Sequence, residues 1–303
     1  MEEKTGIFES VKDGVVGTIK ATGDVAKAVV DTVSGTLVHT IKGTGTVGAS
    51  LVEAISDVSR AAIRGVSDVG ADVGTAAKGA VVGTLRGTKE ASVEGLDAIR
   101  TTASSVIRGT AEVGGDLGNA AKGAVQGAVS GAKEVGLDVT QAVTAAATGL
   151  LQATSDVLSG TGKAGTSLIQ ASSGVIRSAI QTVIEVGGDV GAGAKGVLLG
   201  VLQGTKATGK EALDTISETS STVVKGTADV AGDIAKAALG AVQGAIAGAK
   251  EVSVDASEAA SAAAGGALKA AGDISSEAVA QVKNAVTGTI SGVKVVLKEP
   301  FKK

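Results

Sequence analysis

"TAAKGAVVGTL", residues 75–85, returns as "NAAKGAVQGAV" at 119–129 and as "KAALGAVQGAI" at 236–246. The chain is written in rows of eleven. Residues 9–173 make fifteen rows, 174–180 make one seven-residue row, and 181–301 make eleven more. We number each row from residues such as Arg64, Thr75, Arg86, Asp97 and Arg108. Every Asp, Glu, Lys and Arg between 9 and 301 then falls at position 1, 4, 5, 8 or 9. Eleven residues in three turns is about 3.67 per turn, close to an α-helix. On that wheel the charged positions are contiguous and so are the uncharged ones. A strand would alternate with period two, whereas these charges occupy both parities. The short row keeps the stripe in phase, because a heptad misses an ideal helix by only ~20°. The pattern predicts an all-α fold: one very long hendecad amphipathic helix, with an apolar face nearly half its circumference.

Composition agrees with a helix that covers something. Trp, Tyr and Cys are absent, with two Phe, one Met, one His and one Pro among 303 residues. A core would have to be built from Ala, Val, Ile, Leu and Thr. The absence of Cys excludes a disulfide framework. A net charge of −3 offers no basic footprint for nucleic acid. The opening "MEEKTGIFES" is not a signal peptide. The longest uncharged stretch near the middle, Val139–Ser155, is diluted by Thr, Gln and Ser and is a poor membrane span. Cytoplasmic or peripheral-membrane localisation is expected.

A longer repeat lies over the rows. Residues 63–106 resemble 107–150, and 178–221 resemble 222–265. Five segments follow: an N-terminal tail 1–8, a hendecad half 9–140, a low-charge hinge or bend 141–177, a second half 178–299, and a C-terminal tail 300–303 that opens with the lone Pro300. The hinge carries "SGTGKAGTS" (159–167) and few charges.

The charged face is sorted by sign. Position 4 carries the basic flank: Lys78, Lys89, Lys122, Lys133, Lys195, Lys206 and Lys250. Positions 5 and 9 carry the acidic flank: Asp68/Asp72, Glu90/Glu94, Glu112/Asp116, Glu134/Asp138, Glu185/Asp189, Asp229/Asp233, Glu251/Asp255 and Asp273/Glu277. In an unbroken helix these are i,i+4 like-charge pairs, each costing about 0.2–0.5 kcal/mol. Position 1 is mixed. Small residues recur at position 2, with Gly65, Gly87, Gly109, Gly131, Gly204, Gly226 and Gly248 as candidate lateral helix contacts. Val81, Leu85, Leu96, Val125, Val129, Leu151, Leu202, Leu213, Val242, Ile246 and Ile290 are the candidate lipid- or core-facing residues. Acid meets base only if neighbouring helices run parallel. The sorting therefore favours association with parallel copies over an intrachain hairpin.

Glycine sets the energetic question. Each of the 46 glycines costs about 1 kcal/mol against Ala in a helix interior. A single exposed helix should be mostly disordered in water and needs lipid, or copies of itself, to cover its apolar face.

Eleven-residue amphipathic rows of this kind resemble those of synucleins and perilipins, and more loosely of apolipoproteins and late-embryogenesis-abundant proteins. "GTKEASVEGL" (87–96) and "GAKEVGLDV" (131–139) are similar to synuclein rows, and Thr88, Thr110, Thr205 and Thr227 within the apolar face are a shared trait. The resemblance implies an extended helix laid on a lipid surface. Two features depart from it: one flank is acidic, and the mean hydropathy of +0.33 is unlike the hydrophilic late-embryogenesis proteins.

No catalytic arrangement is legible. "GTGTVG" (43–48) and "GTGKAG" (160–165) match a dinucleotide-binding spacing without its strand–helix context. His39 sits alone on the charged face. The expected protein is not an enzyme and uses no cofactor or metal. It is a structural protein that coats or encloses a lipid or other hydrophobic surface and assembles laterally as a coat, palisade or tube. Its expected partners are itself and lipid. The alternatives are a stress-protective, conditionally folded protein and a lone synuclein-like lipid binder.

Overall fold

The expected single helix is broken into thirteen. The computed structural model describes residues 2–44, 49–90, 94–160, 166–185, 187–205 and 209–297. Among them, α1 (Glu2–Thr22), α2 (Val25–Thr44), α3 (Ala49–Asp68), α4 (Val73–Glu90), α5 (Gly95–Glu112), α6 (Leu117–Val135) and α7 (Val139–Gly160) come first. Then follow α8 (Thr166–Glu185), α9 (Val190–Thr205), α10 (Gly209–Ala228), α11 (Ile234–Gly248), α12 (Ala256–Ile274) and α13 (Ser276–Val286). A two-stranded hairpin, β1 (Gly288–Ile290) and β2 (Val293–Val295), follows α13.

Most described breaks follow the eleven-residue phase. α1 and α2 part at Gly23 (φ +70°), position 4 of its row, and α12 and α13 at Ser275 (φ −169°), an extended position 7. At six other joints the position-7 residue is left-handed: Gly70, Gly114, Gly136, Gly187, Ala231 and Ser253. Two residues later an acidic side chain opens the next helix. The joint Glu112-Val-Gly-Gly-Asp116 shows the mechanism. Gly114 has φ +66°, and the N–H of Gly115 donates to the carbonyl of Thr110 at 2.9 Å, closing the last turn of α5. Asp116 accepts from the N–H groups of Gly118 (2.8 Å) and Asn119 (3.1 Å), capping α6. Asp72, Asp138, Asp189, Asp233 and Asp255 cap α4, α7, α9, α11 and α12 in the same way. The acidic i,i+4 pairs therefore straddle a chain reversal, and the repulsion expected of them in an unbroken helix does not arise.

Ala231 (φ 53°) and Ser253 (φ 56°) adopt this geometry against the preference of an L side chain, at roughly 1–2 kcal/mol each. Ala231→Gly and Ser253→Gly are each expected to raise unfolding stability by about 1 kcal/mol, read from urea midpoints at unchanged m-value.

The chain forms two compact units, residues 1–171 and 172–303. The boundary falls within the stretch 141–177 that was expected to bend. Residues 161–165 of that stretch lie outside the described residues, and α7 and part of α8 occupy most of the rest. In the first unit α2, α4 and α6 stack as one layer and α1, α3, α5 and α7 as the other. In the second, α9, α11 and α13 form one layer and α10 and α12 the other, with α8 against α10 through Arg177. Within each unit the described joints reverse the chain, so consecutive helices are antiparallel and alternate helices parallel.

The apolar faces meet between the layers. Leu37, Ile55, Ile63, Leu85, Ile99, Ile107, Leu150 and Leu151 fill the first unit, and Ile180, Leu198, Leu202 and Ile216 the second. Several buried Thr hydroxyls are satisfied locally: Thr88 and Thr102 each donate to the carbonyl four residues back, and Thr102 also to Thr84, whereas the buried hydroxyls of Thr110 and Thr182 have no hydrogen-bond partner. The cover that a glycine-rich helix requires is thus supplied by its own chain, which overturns the expected single, very long helix. The second half also departs from its expected span. Helix ends at Val286, and 288–295 form an antiparallel hairpin turning on Ser291 (φ 49°) and Gly292 (φ 80°).

Candidate functional site

The most organised feature of the molecule is the seam between parallel helices. α4 carries G-x3-G-x3-G at Gly79, Gly83 and Gly87, α6 at Gly123, Gly127 and Gly131, and α11 at Gly240, Gly244 and Gly248. These residues occupy positions 5, 9 and 2, which are adjacent on the wheel. The glycines lie against the helix two places earlier. A Cβ on Gly123 would stand 1.9 Å from the carbonyl oxygen of Gly74, and one on Gly240 2.1 Å from that of Gly191. At Gly127 and Gly244 the obstacles are the Lys78 and Lys195 carbonyls, 2.6 and 2.8 Å away. In the other layer Gly149 meets Arg100 at 2.2 Å and Gly266 meets Ser217 at 1.9 Å. The seam is backbone against backbone, the closest packing two helices can reach.

Of the candidate contacts at position 2, Gly65 lies on Lys12 and Val15, Gly87 on Ser34 and Leu37, and Gly109 on Arg60 and Ile63. Gly131 lies on Leu85, Gly226 on Arg177 and Gly248 on Leu202. Gly204 is buried in α9. These contacts are made inside one chain.

A ladder of ion pairs runs beside the seam. Arg86 holds Glu134 with two bonds, 2.6 and 3.1 Å. Arg64 holds Glu112 at 3.0 Å with Arg60 on the same carboxylate, Arg108 holds Asp156 at 2.6 Å, and Lys225 holds Asp273 at 2.7 Å. Lys42 reaches Glu90 at 3.4 Å, and Arg177 pairs with Asp229. Most of these partners are 48 residues apart, one 44-residue repeat plus one helical turn. The basic member is mainly the position-1 residue, not the position-4 lysine that sequence reading put on the basic flank. Lys78, Lys89, Lys122, Lys133 and Lys250 are exposed, and Lys195 is half-buried. The backbones of Lys78 and Lys195 receive the seam glycines. Lys206 lies outside the described residues. The acidic flank divides into two jobs. Glu90, Glu112, Glu134 and Asp229 pair across the seam, whereas Asp72, Asp116, Asp138, Asp189, Asp233 and Asp255 cap helices. Glu251 accepts from Gln203 at 3.3 Å, Asp68 and Glu185 close α3 and α8, and Glu94 precedes α5 without a side-chain cap bond.

Val81, Leu85, Val125, Val129, Leu151, Leu202, Val242 and Ile290 are buried, and Leu96, Leu213 and Ile246 are half-buried. They face protein. Among the described residues, the large apolar side chains left exposed are Val52, Ile274 and Val296. Among the same residues no helix is long and apolar enough to cross a membrane, and no three His, Asp or Glu side chains group as metal ligands would. His39 is exposed on α2, where a shallow groove runs past Ser34, Val38 and Lys42 to Glu90. A second groove of about 510 Å³ lies between α10, α12 and the end of β2, lined by Leu213, Asp214, Ser217, Ser261 and Val296. Comparison with known protein families and with curated proteins finds no match.

The cap aspartates give the fold its acid sensitivity. Asp72 is held below the ordinary carboxylate value by the hydroxyl and N–H of Thr75, with Asn119 donating from α6 at 2.6 Å. Asp233 is held down by the N–H and side chain of Lys236. A depressed folded value means the carboxylate contributes stability above its unfolded value, near pH 4, and loses it as pH falls through the folded value. Unfolding stability is therefore expected to be flat from pH 7 to about 5 and to fall below about 4. Asp72→Asn with Asp233→Asn keeps a capping oxygen, removes the charge, and should flatten that acid slope in urea titrations at stepped pH.

Proposed function

We propose that this is a non-enzymatic structural protein, a helical-repeat scaffold whose apolar surface is covered by its own chain. One observation carries the reading: the repeated elements of the sequence serve stacking. Position-2, -5 and -9 glycines make the seam, position-5 acids make the ladder, and position-7 and -9 residues make the joints. A stack of this kind holds a length and presents charged outer faces, as repeat scaffolds do. The expected result is a 29.0 kDa species that is helical and unfolds cooperatively in lipid-free buffer, by circular dichroism and urea titration. A chain unfolded in dilute buffer and helical only on drying or with lipid would overturn it.

A second reading keeps the lipid surface. The joints are short, each helix is amphipathic on its own, and opening the layers would turn the apolar faces outward onto lipid. The two readings separate on a lock. Thr102 donates to Thr84 at 3.2 Å between α5 and α4, one helix of each layer, and the chain has no native cysteine. Thr84→Cys with Thr102→Cys should form a disulfide that holds the two layers together. Vesicle flotation that is lost on oxidation and restored on reduction supports opening onto lipid. Flotation unaffected by the lock rules opening out, and no flotation at all leaves the closed scaffold.

A further inference from the structure

The two ends of the repeat are complementary, and each is obstructed. Consider first the seam glycine at position 9. In α4 and α6 of the first unit this residue is Gly83 and Gly127, and in α9 and α11 of the second it is Gly200 and Gly244. At Gly83, Gly127 and Gly244 a Cβ would stand 2.6–2.8 Å from a backbone carbonyl of the preceding parallel helix. In α2 the same stretch reads "GTLVHTIKG" (35–43), with His39 in the middle glycine's place. His39 is exposed, and Gly35 beside it has open space where a Cβ would go. An imidazole there forbids a parallel helix at seam distance. α1 has no such stop. Its position-9 residue is Gly17, the counterpart of Gly149 and Gly266, and it too faces open space.

The other end mirrors this. Ser217 of α10 offers its carbonyl to Gly266 of α12. Its equivalent one repeat later is Ser261 of α12, where a further helix would seat its glycine. The hairpin occupies that place. Ser261 Oγ accepts from the N–H of Val296 at 3.3 Å, and Ser257 Oγ donates to the carbonyl of Lys294 at 3.0 Å. Ile290 and Val295 are 7% exposed in the cluster formed with Val282 and Val286 of α13. The groove beside Val296 is room that a hairpin, narrower than a helix, leaves unfilled.

We propose that the 288–295 hairpin and His39 are end caps, which stop a second copy of this chain from continuing the stack head to tail. The excluded contact is specific. A second copy's α1 would lay Gly17 against Ser261, and its α2 would bring His39 against α13.

The test uses two full-length variants, each opened at one end. His39→Gly opens the α2 face and keeps the hairpin. Ile290→Asp with Val295→Asp lifts the hairpin and keeps His39. Light scattering after size exclusion should find the natural chain and each variant alone at 29.0 kDa. An equimolar mixture should give twice that mass and grow no further, because each pair then ends in two caps. A mixture that stays monomeric, with helix content unchanged by circular dichroism, overturns the proposal. So does self-association of the hairpin variant alone, which would mean that released apolar surface aggregates and that His39 stops nothing. If the aspartates cost helix content, Ile290→Ser with Val295→Ser takes their place in the same mixture, with the same readings.

Discussion

Gly123→Ala is expected to destabilise the first unit by about 3 kcal/mol, while Gly35→Ala, the same change at the same wheel position, should stabilise by about 0.5–1 kcal/mol. The sign turns on the neighbour. At Gly123 the new Cβ meets the carbonyl oxygen of Gly74 at 1.9 Å and its Cα at 3.0 Å. Neither is the end of a flexible side chain, so α6 must move off α4 and loosen the packing along the whole helix. Helix propensity returns about 1 kcal/mol and cannot offset that loss. At Gly35 nothing lies within 4 Å of the new methyl, and propensity acts alone. Gly240→Ala, at 2.1 Å from the Gly191 carbonyl, should repeat the loss in the second unit. The measurement is the urea midpoint of each variant. Equal effects at Gly35 and Gly123 would mean that the seam is not backbone on backbone.

The glycines also mark where sequence reading stopped. Helical content, the wheel, the sign-sorted flanks and the small-residue face at position 2 follow from composition and phase alone. The breaks do not, for a geometric reason. The structural unit is two rows, so a reversal every 22 residues leaves the eleven-residue phase untouched, and a pattern found by phase cannot see it. The signal that could have shown the breaks was local. A residue suited to left-handed backbone stands two places before an acid, as in "DVGADV" (68–73), "EVGGDL" (112–117) and "EVGGDV" (185–190). That is a C-terminal glycine followed by an N-cap. The paired acids at i and i+4 mark the same joints: repulsive within one helix, they are separated when the second acid caps a new one. Position 1 is mixed in charge over the whole chain, which hides that Arg64, Arg86 and Arg108 there carry the ladder. The hairpin was legible too: "GTISGVKV" (288–295) alternates around Ser-Gly.

Leu85→Asp should unfold the first unit at pH 7, or lower its stability by at least about 4 kcal/mol. Leu85 is 1% exposed, and its methyl groups lie against Gly95 and Gly131. The change removes roughly 2 kcal/mol of burial and puts a carboxylate into an apolar core, at several kcal/mol more. Against a net stability of about 5–15 kcal/mol that is a large fraction. This outcome alone would also fit a long helix with its apolar face covered, so it is paired with a comparison that would not. Thr75 and Ser130 share position 1, and in an unbroken helix removing either hydroxyl should do the same, a small gain in propensity. In the broken chain they differ. Thr75 sits in the first turn of α4, and both its N–H and its hydroxyl donate to Asp72 at 2.6 Å. Ser130 lies inside α6, half-buried. Thr75→Ala should therefore cost about 1 kcal/mol, since a hydrogen bond to a charged cap is lost. It should also raise the apparent pKa of Asp72, read by NMR titration, because the hydroxyl of Thr75 is the largest influence holding it down. Ser130→Ala should be neutral or stabilise by a few tenths of a kcal/mol. Equal and small effects at the two sites would restore the unbroken helix. A cost at Thr75 with none at Ser130 places a helix start between Gly70 and Thr75, as the cap geometry requires.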